Sequence, residues 1–216
     1  IVGLGAMGAG YARQIAKNNR EVRLYGIVRN LQKYKKDPIF VNGERLNIDY
    51  VSWKEGRNGP VDLVILAVKS YHLQEAVQNL AVWIDENTIL LSLLNGLDSE
   101  RRLTEAFGSE HVLYATVTGA DTNRKESQVT CNRCGCLYFG EKKNETWSPR
   151  VKRVAGFLEQ SGIAYQVPAD MEYKLWEKFL INVGCNQTST VYQRNYGKLR
   201  ERAEAREKMQ SARREE

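Results

Sequence analysis

Short continuous apolar runs recur along the chain as far as about residue 167, and segments with helical spacing separate them. The runs at 61–68, 88–93 and 111–117 have the length of buried strands. Strands that are apolar throughout are typical of parallel sheets covered on both faces. The helical segments are predicted at 9–18, 71–84, 98–107 and 149–160. This alternation predicts an α/β fold with a doubly wound sheet.

Two further segments carry signals of antiparallel strands. Residues 39–53 alternate weakly around Asn42-Gly43, a dipeptide that favours a tight hairpin turn. Residues 128–140 are predicted to form an antiparallel strand pair. We therefore expect the doubly wound sheet to carry an antiparallel annex.

The alternation of strands and helices ends at Val167-Pro168. Beyond that point the pattern is helical, and Asp170 is predicted to cap a helix that runs to about residue 191. We therefore predict a first domain over 1–167 and the first part of an incomplete all-helical domain over 168–216.

The start of the chain has the pattern of a phosphate cradle. Ile1-Val2 is predicted to end a strand and to lead into a G-x-G-x-x-G turn, whose residues are Gly3, Leu4, Gly5, Ala6, Met7 and Gly8. In this pattern the first glycine allows a tight turn, the second admits a pyrophosphate, and the third brings the helix close to the strand. The N–H groups of the helix N-terminus favour phosphate. The context predicts a Rossmann-like dinucleotide site rather than a glycine-rich turn that binds nothing.

The residue at the end of the next predicted strand indicates which dinucleotide binds. Sites for NAD place an acidic residue there to hold the ribose hydroxyls. Here the position is Arg29, whose guanidinium can pair with a 2′-phosphate and stack on adenine. We therefore predict NADP(H) as the cofactor.

Polar residues follow two of the predicted buried strands. Lys69 comes after the run 61–68, and Asn95 comes after the run 88–93. Ligands of open α/β sheets bind beyond the carboxyl ends of the strands, so both side chains are candidates for cofactor contacts. The alternatives are a solvent-facing lysine and an Asn-Gly turn.

The long C-terminal helix carries a narrow polar stripe. Lys178, Asn182 and Asn186 are spaced four residues apart and share one helix face. Most other positions of this segment are apolar, with Trp176 and Phe179 predicted on the opposite side. A lysine and two amides in such a setting predict a wall that binds a small polar ligand. The alternative is a structural Lys/Asn network between helices.

Composition and charge narrow the class of protein. The net charge is +6, but the charged tail from 198 onwards mixes both signs, which indicates a solvated helix rather than a nucleic-acid arm. No apolar run has the roughly 20 residues needed to span a bilayer. Because four cysteines occur without a secretory signal, we expect a reducing, cytoplasmic setting. We expect no nucleic-acid or membrane partner.

The segment Cys131-x-x-Cys134-x-Cys136 invites a zinc interpretation, because thiolates at this spacing can share a metal. A fourth ligand is not evident in the neighbouring sequence. We therefore predict no metal site and interpret the cysteines as strand residues that are buried or half-buried.

Taken in order, the glycine loop, Arg29, Val68-Lys69-Ser70, Asn95-Gly96 and the segment 176–186 resemble the ketopantoate reductase (2-dehydropantoate 2-reductase) family along nearly the whole chain. The resemblance implies a cytoplasmic enzyme of pantothenate biosynthesis that reduces 2-dehydropantoate to pantoate with NADPH. It further implies that Lys178 is the general acid, that Asn182 and Asn186 bind substrate, and that Asn95 and Lys69 contact nicotinamide ribose or substrate.

The chain departs from this family at its end. The family's helical domain continues and supplies a serine and a glutamate, which have no counterpart up to residue 216. Three alternatives therefore remain open: a reductase of another 2-oxo acid, a non-catalytic NADP(H)-binding relative, and a member of the wider β-hydroxyacid dehydrogenase group. An incomplete helical domain would expose the apolar face of its first helix, which makes a homodimer a further expectation.

Overall fold

A computed structural model describes residues 1–53 and 59–184. The helices of this part are α1 (Ala6–Asn18), α2 (Leu31–Lys36), α3 (Leu73–Leu80), α4 (Ser99–Phe107), α5 (Pro149–Gln160) and α6 (Met171–Asn182). The predicted helix at 71–84 is divided, because 3₁₀ turns at Ser70–His72 and Ala81–Trp83 flank α3. Helix α1 begins three residues earlier than predicted, inside the glycine loop.

Local capping explains where two of the helices begin. The side chain of Ser148 accepts a hydrogen bond from the backbone N–H of Val151 at the start of α5. At the start of α6, Asp170 accepts from the N–H of Tyr173, as its predicted capping role requires.

The strands are short and numerous. They are β1 (Tyr25–Val28), β2 (Phe40–Val41), β3 (Glu44–Arg45), β4 (Asp49–Ser52), β5 (Leu63–Leu66), β6 (Ile89–Ser92), β7 (Val112–Thr118), β8 (Asp121–Lys125), β9 (Gln128–Arg133), β10 (Cys136–Gly140) and β11 (Tyr165–Gln166). The predicted turn between β2 and β3 is present, and Asn42 and Gly43 both have positive φ, as a type I′ hairpin needs.

The main sheet has the order β11-β10-β7-β6-β5, and β5, β6 and β7 are parallel neighbours. Val2 bridges to Leu66 of β5 on one side and to Ile27 of β1 on the other. The N-terminal residues therefore connect this sheet with the parallel pair β1–β4. The predicted doubly wound α/β architecture is confirmed.

The predicted strand pair at 128–140 is wrong. Strand β9 pairs with β8, which the sequence analysis missed, in a sheet of order β3-β2-β9-β8. Strand β10 pairs instead with β7 in the main sheet. Gly135 lies between β9 and β10 with φ +79°, and a Cβ there would come within 2.5 Å of the Thr118 carbonyl oxygen. The chain thus makes a tight glycine turn from one sheet into the other.

Two hydrophobic clusters cover opposite faces of the main sheet. Neighbouring strand residues alternate between them: Ile65 and Leu91 belong to the cluster that includes α1 and α5, whereas Leu66 and Leu90 belong to the cluster that includes α3 and Leu103. Such alternation is what helices on both faces of a sheet require. This core on both faces of the sheet fixes the position of Val2 and of the glycine loop that follows it.

After β11 the described chain continues only as α6, which packs against β7 and β10. The domain boundary at 168 therefore stays a prediction, and the predicted extension of this helix lies outside the described residues. Among the helices described, none is long and apolar enough to cross a membrane.

Candidate cofactor and substrate site

The glycine loop connects Val2 with α1, and two of its glycines are required by packing. Gly3 has φ +89°, and a Cβ there would lie 2.7 Å from Cγ1 of Val68. A Cβ on Gly8 would lie 2.1 Å from the carbonyl oxygen of Gly3. Both contacts are too close for a side chain, so the turn and the first turn of the helix can approach each other only because these residues are glycines.

Gly5 is different, because nothing in the protein fills the space beside it. Its φ is −67°, and the nearest atom to a Cβ added at this position would be the Ala67 carbonyl oxygen, 3.9 Å away. Neither backbone strain nor packing therefore requires glycine at this position. The open space lies at the N-terminal cap of a 13-residue helix, where backbone N–H groups attract phosphate. The loop thus has the shape that a dinucleotide pyrophosphate needs.

The hairpin formed by β8 and β9 contacts the glycine loop, and this contact was not predicted from the sequence. The Arg124 guanidinium on β8 donates to the carbonyl oxygen of Leu4. Thr122 on the same strand donates from Oγ1 to Sδ of Met7 over 3.3 Å. The β8–β9 hairpin therefore contacts the backbone of Leu4 and the side chain of Met7, two of the predicted cofactor residues.

Arg29 follows the carboxyl end of β1 and is exposed, as a group that binds a 2′-phosphate should be. Its Nη1 lies 3.5 Å from Oε2 of Glu75 and 3.5 Å from Nδ1 of His72. These two partners were not predicted from the sequence, although their spacing of three residues places them on one helical face.

Lys69 and Asn95 occupy corresponding positions beyond adjacent parallel strands. Lys69 follows β5, Asn95 follows β6, and both side chains are exposed. A hydroxyl pair closes the loop that carries Asn95, because Ser92 Oγ donates to Ser99 Oγ over 2.8 Å. The two candidate residues therefore lie at the sheet edge predicted for cofactor contacts.

Glu100 is a buried carboxyl group that the sequence analysis missed. It lies in the first turn of α4, only 3% exposed, and Ser99 Oγ donates to its Oε2 over 2.9 Å. Burial raises the pKa of Glu100, and the positive charge of Lys178 opposes that rise. Charged neighbours such as Arg101 and Arg102 hid this residue in the sequence, because they indicate an exposed helix.

Lys178 lies on α6 and is half-buried. Burial lowers the pKa of its amine to about 8, and the nearby Glu100 carboxylate acts in the opposite direction. Asn182 is the last residue of α6 and is half-buried, whereas Asn186 lies outside the described residues. Trp176 is 49% exposed, so this part of the apolar helix face is not covered by the described residues.

A sizeable cavity lies away from these residues. It has a volume of about 530 Å³ and lies at the amino ends of β1 and β5, lined by residues that include Ile1, Arg23, Asp62 and Phe157. Ligands of open α/β sheets bind at the carboxyl ends of the strands, so this cavity lies at the end of the sheet opposite to the predicted cofactor residues. Within 1–53 and 59–184, no group of three or more His, Cys, Asp or Glu side chains is arranged to hold a metal ion.

Family models match both parts of the chain. Residues 1–144 match the model described as ketopantoate reductase PanE/ApbA, and residues 170–216 match the model of the C-terminal part of the same family. The 2-dehydropantoate 2-reductase of Aquifex aeolicus is 24% identical over 212 residues, which cover 97% of this chain and 67% of that protein. The oxidoreductase YkpB of Bacillus subtilis is 24% identical over 206 residues, which cover 92% and 66%. The chain thus spans about two thirds of the length of these relatives.

Solved structures share the fold. The 2-dehydropantoate 2-reductase of Porphyromonas gingivalis superposes with a TM-score of 0.79 at 21% identity, over 94% of this chain and 75% of that chain. A D-mandelate dehydrogenase, solved as a ternary complex with NADH and anilino(oxo)acetate, gives 0.83 at 21% identity, over 94% and 67%. The fold, the order of the motifs and the match over residues 1–144 together show that the chain belongs to the ketopantoate reductase family, a family of oxidoreductases.

Proposed function

We propose that this chain provides the cofactor site and the proton donor of an NADPH-dependent reductase that converts 2-dehydropantoate to pantoate. The observation that carries the proposal is Lys178, a half-buried amine whose pKa is lowered to about 8. An amine with this pKa still holds its proton at neutral pH but releases it more readily than an exposed lysine does. That is the behaviour expected of a general acid.

The glycine loop and Arg29 would hold the dinucleotide. Gly5 leaves room for the pyrophosphate, and the N-terminus of α1 supplies N–H groups to it. Arg29 would pair with the 2′-phosphate, which favours NADPH over NADH. When bound, the nicotinamide supplies the hydride, and the protein supplies alignment and charge.

The residues at the sheet edge and on α6 would act on the substrate. We assign to Lys178 the transfer of a proton to the carbonyl oxygen, which carries increasing negative charge during reduction. Asn95 and Lys69 would contact the nicotinamide ribose or the substrate. Asn182 and Asn186 would bind the hydroxyl and carboxylate ends of the substrate, which keeps the carbonyl in reach of Lys178.

The test is NADPH oxidation, followed by the loss of its absorbance after 2-dehydropantoate is added. We expect turnover of 2-dehydropantoate in preference to a panel of other 2-oxo acids. The structural likeness to a D-mandelate dehydrogenase supports one specific alternative, an aryl-substituted 2-oxo acid, which the panel should include. Binding of NADPH without turnover of any member of the panel would contradict the proposed activity and favour a non-catalytic cofactor-binding relative.

The assembly of the active protein is a separate part of the proposal. A ketopantoate reductase of Staphylococcus aureus is described as dimeric. We propose a homodimer for this chain as well, and the exposed Trp176 and Ile181 on α6 support an association through this helix. Light scattering after size-exclusion chromatography measures the mass directly, and a monomeric mass at micromolar concentration would contradict it.

A further inference from the structure

Two cysteine sulfurs lie in contact on the hairpin that supports the glycine loop. Cys131 is on β9 and Cys134 is in the turn that leads to β10, and their Sγ atoms are 2.8 Å apart. A disulfide bond measures about 2.05 Å, so the two sulfurs need only a small further approach to bond. Both residues are partly exposed, so a small molecule can reach them. The proposed reductase chemistry uses neither of them.

The two sulfurs pack against helix α1 at Gly10. A Cβ on Gly10 would lie 3.0 Å from Sγ of Cys131 and 3.3 Å from Sγ of Cys134. Glycine weakens a helix interior, and here it leaves the space that the two sulfurs occupy. The neighbouring Tyr11 is fully buried, and its hydroxyl has no hydrogen-bond partner among the described residues. Burial together with the three nearby cysteines raises the pKa of this hydroxyl, which keeps it protonated beside the sulfurs.

The two sulfurs have different roles. Burial and the hydrogen bond to Cys131 raise the pKa of the Cys134 thiol to about 12, and the charge of Arg13 opposes that rise. The thiol of Cys134 therefore keeps its proton, and wherever Cys131 is ionised Cys134 can donate toward its Sγ across the 2.8 Å contact, in which either sulfur can be the donor. A donor at this position stabilises negative charge on Cys131. Cys131 is thus the sulfur suited to attack an oxidant, and Cys134 is the sulfur suited to complete the bond.

We propose that Cys131 and Cys134 form a reversible redox pair that exchanges with low-molecular-weight disulfides of the glutathione class. The Cys131 thiolate attacks one sulfur of the disulfide, and the first thiolate leaves and takes up a proton. Cys134 then loses its proton as it attacks Sγ of Cys131 and displaces the second thiol. The two cysteines lose two electrons, and the small disulfide gains them as it becomes two thiols.

The state of this pair acts on the cofactor loop through β8. Cys131 lies opposite Thr122 in the strand register, and Thr122 contacts Met7 of the loop. A disulfide between Cys131 and Cys134 restricts the motion of the strands that contact the glycine loop. Because the loop is then ordered before the cofactor binds, less conformational entropy is lost on binding and the affinity for the cofactor increases. We expect the oxidised chain to bind NADPH more tightly than the reduced chain. This second step rests on the proposed function, whereas formation of the disulfide does not.

Trypsin provides a direct test, because it cleaves after Arg133, between the two cysteines. The reduced chain is incubated with equal concentrations of reduced and oxidised glutathione, and free thiols are then blocked with an alkylating agent. We expect mass spectrometry to show peptides 126–133 and 134–142 joined by a disulfide. Separate, alkylated peptides would overturn the redox pair.

Two variants identify the bonded sulfurs. Cys136 lies in the same tryptic peptide as Cys134, so Cys136→Ser is the matched control, and the cross-link should persist in it. In Cys134→Ser the cross-link should disappear, and peptide 126–133 should carry one glutathione on Cys131. A cross-link that disappears in Cys136→Ser and persists in Cys134→Ser would overturn the assignment.

The effect on the loop is measured by titrating oxidised and reduced protein with NADPH, followed by tryptophan fluorescence. We expect a lower dissociation constant for the oxidised wild-type chain and no redox dependence in Cys134→Ser. Equal affinities of the two wild-type forms would overturn the coupling to the loop. Absence of NADPH binding in both forms would contradict the cofactor assignment and also the coupling of the cysteine pair to the loop. The mass-spectrometric test of the disulfide does not depend on NADPH, so it would still decide whether the redox pair exists.

Discussion

The guanidinium of Arg29 lies 3.5 Å from the carboxylate of Glu75, measured from Nη1 to Oε2. Both side chains are substantially exposed, so the ion pair itself adds little to stability. Its importance lies in its position beyond β1, where the ribose of a dinucleotide would bind. Arg29 thus meets a carboxylate in the free protein and would meet a phosphate in the complex.

Arg29→Ala should weaken NADPH binding and leave NADH binding nearly unchanged. A charge-assisted contact to phosphate contributes about 1.5–3 kcal/mol, which corresponds to about 10- to 150-fold in affinity. Titrations with both cofactors, followed by tryptophan fluorescence, measure the effect. Equal affinities of the unmutated chain for NADPH and NADH would refute the assigned preference.

Glu75→Gln should have the opposite effect on NADPH. The carboxylate competes with the 2′-phosphate for Arg29 and adds negative charge near it. Because both groups are exposed, removing that charge should tighten NADPH binding by only about two- to fivefold. Glu105→Gln is the control, since Glu105 pairs with Arg101 on α4 and is also exposed, more so than Glu75. A gain that is equal in both variants would show a general charge effect rather than competition at Arg29.

Much of the framework was predictable because local signals and tertiary structure agree. Asn42-Gly43 makes the expected turn, and Asp170 caps α6 as expected, since both depend on neighbouring residues alone. The glycine loop was predictable for the same reason. Gly3 and Gly8 avoid a steric clash and Gly5 leaves open space, so the spacing of the glycines in the sequence corresponds directly to the shape of the loop.

Long-range pairings were not predictable from the same patterns. Strands β9 and β10 adjoin a turn and resemble a hairpin, yet they lie in different sheets, because β9 pairs with the polar strand β8. Polar strands such as β8 carry little apolar periodicity, so the sequence analysis missed it. Burial of Glu100 was hidden for a related reason, since the cover that α4 receives from β6, β7 and α3 exists only in the folded chain.

Gly5 and Gly8 should respond differently to substitution. Gly5→Val places a side chain in open space at ordinary φ, so the fold should survive while both NADPH and NADH binding are lost. Gly8→Ala places a methyl group 2.1 Å from the Gly3 carbonyl oxygen, so it should destabilise the fold by about 1–3 kcal/mol. Thermal unfolding and cofactor titration of both variants separate the two effects. Retained NADPH binding in Gly5→Val would show that the loop has a structural role only.

Lys178→Ala should abolish most of the turnover and change NADPH affinity little. General acid catalysis typically contributes about 10²- to 10⁴-fold to the rate. The matched control is Lys174→Ala, one helical turn earlier, whose amine pairs with Glu177. The comparison is kcat at saturating NADPH and 2-dehydropantoate. A loss under about tenfold, less than general acid catalysis supplies, would assign Lys178 to a structural network instead.

Glu100→Gln should move the alkaline limb of the pH profile to lower pH. Reduction requires the protonated amine of Lys178, so activity should fall as pH rises through its pKa of about 8. The Glu100 carboxylate holds that pKa up against the effect of burial. Its neutral isostere removes the attraction, so the pKa of Lys178 should fall further and the rate at pH 8 should decrease.

Asp98→Asn is the control for this shift, because Asp98 is exposed, pairs with Arg101 and Arg102, and precedes the same helix. Its pH profile should match that of the unmutated chain. The measurement is kcat/KM for 2-dehydropantoate from pH 6 to 10, since that quantity follows ionisations of the free enzyme. An unchanged limb in Glu100→Gln, with normal thermal unfolding, would show that Glu100 does not act on the amine. A limb that moves to higher pH would contradict the attraction itself, because loss of a nearby negative charge cannot raise the pKa of an amine.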